Sequence, residues 1–411
     1  MSNYDIAKQE FSAIGVDTEK ALTALQSTPI SVHCWQGDDV GGCENAGDLT
    51  GGIQVTGNYM GKARTPKELM ADFTFALSKV GGTKRINLHA NYAISDVPVA
   101  RDALTIAQFM PWVDFAKEHG FGIDFNPTFF SHPMVKDGLT LSSPDNDVRA
   151  YWIRHAKCCR KISAQIGEML GSAVLCNIWI PDGYKDIPAD RMAPRKRLKD
   201  SLDAIYADKY DKKFIVDSVE SKVFGIGLES YTVGSHEFYM GYAIKNDIMC
   251  LLDNGHFHPT ENVADKISSL LLYSDNVALH VTRSVRWDSD HVVLLTDEIK
   301  EIAYEIVACG GAEKTLIGLD YFDASINRIV AWVTGAQNFQ KALLIALLQP
   351  IDSYKAMQEE HNFSELMMKR EQHKMMPYGA VWAEFLARNN CEQNAYDSIK
   401  EYETSTLSAR N

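Results

Sequence analysis

Along the chain, short apolar stretches return at intervals, each about the length of a strand and each followed by a longer segment with apolar residues at helical spacing. The stretches are 29–35 (PISVHCW), 85–90 (RINLHA), 121–126 (FGIDFN), 173–180 (AVLCNIWI), 214–220 (FIVDSVE), 247–253 (DIMCLLD), 276–282 (NVALHVT) and 314–320 (KTLIGLD). They read as near-continuous apolar runs, the pattern of parallel strands covered on both faces. Helix signals fill the intervals. Thr65-Pro66-Lys67-Glu68 places a capping hydroxyl, a proline at the first helical position and a glutamate three residues after the cap, ahead of LMADFTFALSKV. Residues 191–207, 261–273 and 291–309 also carry apolar positions at helical spacing. Eight strand-then-helix units in residues 1–330 predict an α/β fold, a closed (β/α)8 TIM barrel; a doubly wound open sheet is the competing architecture.

Two segments depart from the repeat. Residues 37–63 form a Gly-rich loop after the first strand, far longer than such connections usually are, and read as a lid. From Ser325 onward the chain is almost continuously helical, more than one closing helix requires. Residues 331–411 are therefore expected to be a C-terminal helical extension that packs against a neighbouring subunit, or else extra covering of the same barrel.

Composition narrows the function. In 411 residues, 41 Lys and Arg face 54 Asp and Glu, a formal net charge of -13 whose field repels phosphate backbones, so nucleic acid is not expected as a partner. No apolar run is long enough to cross a bilayer and Met1 to Glu10 has no signal core, so a soluble, cytoplasmic protein without membrane contact is expected. The 8 cysteines include no CxxC pair and read as reduced packing residues.

The carboxyl ends of barrel strands converge on one mouth, where such barrels carry their chemistry. The fifth strand ends at Glu220, followed by Lys222; the sixth ends at Asp253, with His256 just beyond; the seventh carries His280, and its loop Asp288 and Asp290; the eighth ends at Asp320. Taken singly, Asp253, Asp288, Asp290 and Asp320 are most often turn or cap residues and His280 a packed core histidine, while Glu220 and Lys222 could form a buried ion pair. Gathered at consecutive strand ends, five carboxylates and two imidazoles need a strong counter-charge, and one or two divalent cations supply it. Oxygen and imidazole ligation without thiolate suits Mn²⁺, Mg²⁺, Co²⁺ or Zn²⁺. Asp288 and Asp290 can grip one ion together, and Asp253 can lie between two. His33, Trp35, His89, Phe129 and Trp179 are expected at the same mouth, where aromatic walls with a few polar groups suit a sugar ring.

The stretches HCWQGDDVGG, TGGIQVTGNYMGKA, INLHANY, DFNPTFFSHP, NIWIPDG, VESKVFGIGLESYTVGSHEFYMGYA, GHFHPTE, VRWDSDHVVLL and IGLDYFDASINRI resemble the signatures of the bacterial L-rhamnose isomerases. The resemblance implies a structural metal on Glu220, Asp253, His280 and Asp320, and a catalytic metal on His256, Asp288 and Asp290 with Asp253. It implies Mn²⁺ at the catalytic site and Zn²⁺ or Mn²⁺ at the structural one. Lys222 is similar to the lysine on the sugar's first oxygen, and His89 and Asp320 to the pair that opens the ring and moves hydroxyl protons. Trp179 resembles the wall under the sugar, and Val40, Leu49 and Tyr92 the patch for its methyl group. A homotetramer is implied as well.

The expected reaction is aldose–ketose interconversion of L-rhamnose and L-rhamnulose by metal-assisted hydride shift, because no carboxylate is left over as a base for an enediol route. Other readings stand beside it. A sugar-acid dehydratase or a sugar epimerase of the same barrel group, a metal-dependent phosphodiesterase and a non-catalytic sugar-binding protein would share parts of the pattern.

Overall fold

The computed structural model describes residues 2–410 apart from 45–48, 50–52, 54, 56, 224, 226 and 286–290. Eight parallel strands close into a barrel: β1 Ile30–His33, β2 Lys84–His89, β3 Gly122–Asn126, β4 Val174–Ile178, β5 Ile215–Glu220, β6 Met249–Asp253, β7 Val277–Val281 and β8 Thr315–Leu319. Neighbours in the barrel are neighbours in the chain, and β1 pairs with β8 to close the ring. Each strand falls inside, or within a residue of, an apolar stretch of the sequence. Trp35 is the exception to the run that contained it: β1 stops at His33, and Cys34–Gln36 is a short 3-10 turn.

The strands have two differently filled faces, and this positions the chemistry. Outward residues such as Ile86, Ile178, Val219 and Leu252 join the large core between barrel and helices. Leu175, Met249, Leu251 and Ala278, flanked by Val216 and Leu316, form a separate apolar plug inside the barrel. Because side chains two apart along a strand share a face, that inward face continues from Leu175 to Asn177, from Val216 to Ser218 and Glu220, from Leu251 to Asp253 and from Ala278 to His280. Apolar residues thus close the barrel interior near the strands' middle, and polar ones crowd its carboxyl end.

The helices follow their caps. Pro66–Leu77 begins as the sequence predicts, with the Thr65 hydroxyl accepting from the Glu68 N–H and proline in its first turn. Residues 291–309 are helical only over Asp297–Ala308: the His291 carbonyl accepts from the Arg283 N–H, which holds the segment extended, and Thr296 then caps the helix. Two helices, Asn3–Ala13 and Thr18–Ser27, precede β1.

Beyond β8 the chain divides into Arg328–Leu347, Ile351–Glu359, Phe363–His373, Tyr378–Arg388 and Tyr396–Ser405. Arg328–Leu347 packs on Asp297–Ala308, Thr18–Ser27 and Pro66–Leu77, which makes it the barrel's eighth covering helix. The boundary drawn at residue 330 therefore falls inside a helix. Tyr378–Arg388 packs on Asn3–Ala13. No helix among the described residues is long and apolar enough to cross a membrane.

Candidate active site

Four side chains meet at the carboxyl end of the barrel. Glu220, Asp253, His280 and Asp320, all buried, each offer a ligand atom, and those atoms lie within 4.8 Å of one another. His280 Nδ1 stands 3.2 Å from Glu220 Oε2 and 3.1 Å from Asp320 Oδ2. A Cβ on Gly318, the residue paired with His280 across β8 and β7, would stand 2.9 Å from His280 Cδ2, so glycine leaves the space the imidazole fills. His256, in the short turn after β6, completes the group. Its Nδ1 is 3.1 Å from Glu220 Oε1, 3.9 Å from Asp253 Oδ2 and 3.0 Å from the Ser221 carbonyl.

Electrostatics explains why such a cluster calls for a cation. Burial raises the Asp253 carboxyl well above the usual range, and Glu220 and Asp320 add to that. Burial also raises Asp320. For Glu220 burial pushes up too, but the imidazoles of His280 and His256 outweigh it and hold the carboxyl well below the usual range. Burial depresses both imidazoles, yet Asp253 and Glu220 drive His256 up to about 10, and Glu220 and Asp320 drive His280 well up. The buried carboxylates thus favour positive charge on the imidazoles beside them, the same counter-charge that a bound cation would supply.

The donors also fit a metal. Asp253 Oδ2, Asp320 Oδ1 and both ring nitrogens of His280 are buried and make no hydrogen bond among the described residues. Buried polar atoms left unmatched are costly, and a divalent cation would satisfy Asp253 Oδ2 and one nitrogen of His280 together. Carboxylate and imidazole donors, with no thiolate, suit Mn²⁺, Mg²⁺ or Zn²⁺. Asp288 and Asp290, expected on a second ion, lie outside the described residues.

A pocket opens above the four. Trp35, His89, Phe130, Trp179, Lys222 and Phe322 line it, together with Ile53, Asn126, Pro127, Asn177 and the donor side chains other than Asp253. Trp35 stacks on His89 with centroids 4.1 Å apart, and Phe130 meets Trp179 edge to face at 6.1 Å. The Lys222 ammonium sits 5.0 Å from the centre of the Trp179 ring. Both ring nitrogens of His89 are buried and without a hydrogen bond among the described residues, and burial with nearby His280 pushes its imidazole down to about 3.

The remaining expected contacts lie elsewhere. The ring of Phe129 is directed away from the pocket, onto Trp152 and His155, and its neighbour Phe130 takes the pocket position. Tyr92 is fully buried with its hydroxyl donating to Asp38 at 2.5 Å, and Val40 is buried as well; neither lines the pocket. Leu49 is half-buried against the core.

Sequence reasoning missed a belt of inward polar residues, of which Asn126 and Asn177 line the pocket. Asn126 Nδ2 donates to Asn87 Oδ1 at 2.5 Å, Asn87 Nδ2 to His33 Nε2 at 2.9 Å, Asn177 Nδ2 to Glu220 Oε2 at 2.5 Å and Ser218 Oγ to Asn177 Oδ1 at 2.8 Å. Their signal was the polar residue two before the strand's functional end, as in Asn87 before His89 and Ser218 before Glu220.

A closed parallel barrel with a polar donor cluster and an aromatic-walled pocket at its carboxyl mouth defines a (β/α)8-barrel enzyme with a candidate divalent-cation centre. The family model described as L-rhamnose isomerase (RhaA) matches residues 1–410. The chain is 52% identical over 410 residues to the L-rhamnose isomerase of Salmonella typhi, covering 99% of this chain and 98% of that one, and the same figures hold for that of Salmonella paratyphi B. Among solved structures, it is similar to D-psicose 3-epimerase from Clostridium cellulolyticum H10 with a TM-score of 0.47 and 12% identity, over 77% of this chain and 96% of the other. The chain belongs to the L-rhamnose isomerase family and is a sugar isomerase, an intramolecular oxidoreductase.

Proposed function

We propose that this isomerase interconverts L-rhamnose and L-rhamnulose with divalent cations held at the barrel mouth. The observation that carries the reading is the approach of Glu220, Asp253, His280 and Asp320 within 4.8 Å, beneath an aromatic pocket. These four would hold the structural ion, Zn²⁺ or Mn²⁺. His256, Asp288 and Asp290, with Asp253, would hold the catalytic Mn²⁺. When bound, such a cation supplies Lewis-acid polarisation of a carbonyl and its neighbouring hydroxyl.

The chain's own groups do the rest. Trp179 gives the apolar face of the sugar a wall, and Lys222, held over that ring, faces the first oxygen. His89 is clamped against Trp35, with its ring nitrogens available to a ring oxygen or hydroxyl, which suits it to opening the cyclic sugar. Asp320 assists in moving the hydroxyl proton. The acids that line the pocket among the described residues are Glu220 and Asp320, both already assigned. No carboxylate of the described pocket lining is thus left over as a proton-abstracting base, which supports direct passage of hydrogen between C2 and C1. The methyl end of the sugar belongs to the apolar side that Ile53 lines, with Val40 and Tyr92 buried outside the pocket wall.

We place the enzyme in the cytoplasm as a homotetramer whose C-terminal helices make subunit contacts. All 8 cysteines are free, which suits a reducing compartment. A ketose assay on L-rhamnose is the test, run with chelator and with Mn²⁺ added back. Ketose that stops with chelator and returns with Mn²⁺ is expected; no ketose from the Mn²⁺-loaded protein overturns the reading. Deuterium at C2 should be retained in the product, whereas full washout to solvent would exclude direct transfer.

A further inference from the structure

Part of the polar belt has a direction that can be read from one end. It begins at a backbone carbonyl, which only accepts: Asn126 Nδ2 donates to Leu88 O at 3.5 Å and to Asn87 Oδ1 at 2.5 Å. With its oxygen so used, Asn87 presents its nitrogen to His33 Nε2 at 2.9 Å. An imidazole nitrogen that accepts carries no proton, so the neutral ring holds its proton on Nδ1. That Nδ1 stands 3.3 Å from Asp320 Oδ1, and neither atom makes a hydrogen bond among the described residues, so each is the other's nearest available match. His33 and Asn87 are each 1% exposed, so the middle of this chain of contacts is shielded from water. The backbone of His33 is held too, its carbonyl accepting from Trp332 Nε1 at 2.9 Å.

We infer that His33 is a positioning residue for Asp320: Asn126 and Asn87 fix its tautomer so that Nδ1–H is presented to Asp320 Oδ1. With Oδ1 on the His33 side, the carboxylate has Oδ2 turned toward His280 Nδ1, 3.1 Å away. Donors behind a reacting or ligating carboxylate set its orientation, and their loss is felt in rate or metal affinity. The same direction resolves an ambiguity. Ligand atoms of His33, His280 and Asp320 also lie within 4.8 Å of one another, but a nitrogen that carries a proton cannot coordinate an ion, so His33 stands outside the ligand set. The inference rests on the place given to Asp320 in the proposed reaction.

Two measurements test it. Nitrogen-15 NMR of histidine-labelled wild-type protein, metal-free and Zn²⁺-loaded, is expected to show His33 neutral with its proton on Nδ1 in both states. A proton on Nε2, or an Nδ1 resonance that takes on metal-ligand character with Zn²⁺, overturns the inference. In the kinetic arm, His33→Asn puts an amide nitrogen near the place of Nδ1 and should keep most of kcat. His33→Gln reaches instead toward the place of Nε2 and should lose about 10- to 100-fold in kcat, in metal affinity or in both, with KM little changed. Equal losses in both variants would make the residue structural and overturn the inference. An inactive wild type would defeat the proposed function while leaving the tautomer measurement to stand or fall by itself.

Discussion

Asp38, in the segment that leaves β1, is a buried acid outside the donor cluster. Its Oδ1 accepts from the Tyr92 hydroxyl at 2.5 Å and its Oδ2 from the Gly42 N–H at 2.7 Å. Burial nevertheless wins and pushes its carboxyl from the ordinary 3.8 up to about 7. Between those two values the folded chain holds a proton that the unfolded chain has released. Stability from this residue therefore falls as pH rises through that window and is level above it, a span worth on the order of a few kcal/mol. Asp38→Asn should remove that slope while weakening the Gly42 bond. Calorimetric melting of both proteins across the window checks this, and parallel curves would refute it. Residues at strand ends were legible in the sequence because charge stops an apolar run abruptly, as at Glu220 and Asp253. Asn87 and Asn177 were not, since a neutral polar side chain inside an apolar run faces inward or outward according to register. Phe129 and Phe130 show the same limit: adjacent aromatic residues diverge, and only the packing of Trp152 and His155 decides which one leaves the pocket.

Elements are held to the site by close backbone approach. In Arg328–Leu347 a Cβ at Gly335 would stand 2.0 Å from the Tyr321 hydroxyl, which donates to the Ala331 carbonyl at 2.9 Å. Gly335→Ala must therefore push the helix off the barrel or displace Tyr321, the residue after Asp320. Overpacking of this kind costs about 1–3 kcal/mol. A lower Tm together with a lower kcat is expected, and wild-type values for both would show that the helix has slack. At this scale the sequence was most informative about strands, because runs such as AVLCNIWI are too short and too uniformly apolar for a surface helix. Helix starts were legible where a cap was explicit, as at Thr65. The start at Asp297 was obscured because Val292 and Val293, buried in extended chain, mimic helical spacing. The helical tail could be recognised as helix, but whether a given helix covers the barrel depends on tertiary packing, and Arg328–Leu347 proved to complete the ring.

For the molecule as a whole, a cation bound at the mouth joins β5, β6, β7 and the end of β8, so it links a continuous half of the ring. A ligand that binds only the folded state stabilises it by mass action, about 2.7 kcal/mol at a hundredfold excess over Kd. Chelation should lower Tm and Mn²⁺ should restore it, measured by differential scanning fluorimetry without any sugar present. An unchanged Tm at saturating chelator would mean that the buried carboxylates and imidazoles balance one another unaided. The pairing of β1 with β8 carries a consequence for how activity arises during synthesis. Until the segment containing β8 emerges, the growing polypeptide lacks both Asp320 and the edge against which Ile30–His33 must dock. No shortened product that stops before it can own a fraction of the catalytic power; turnover begins only when the circle is shut.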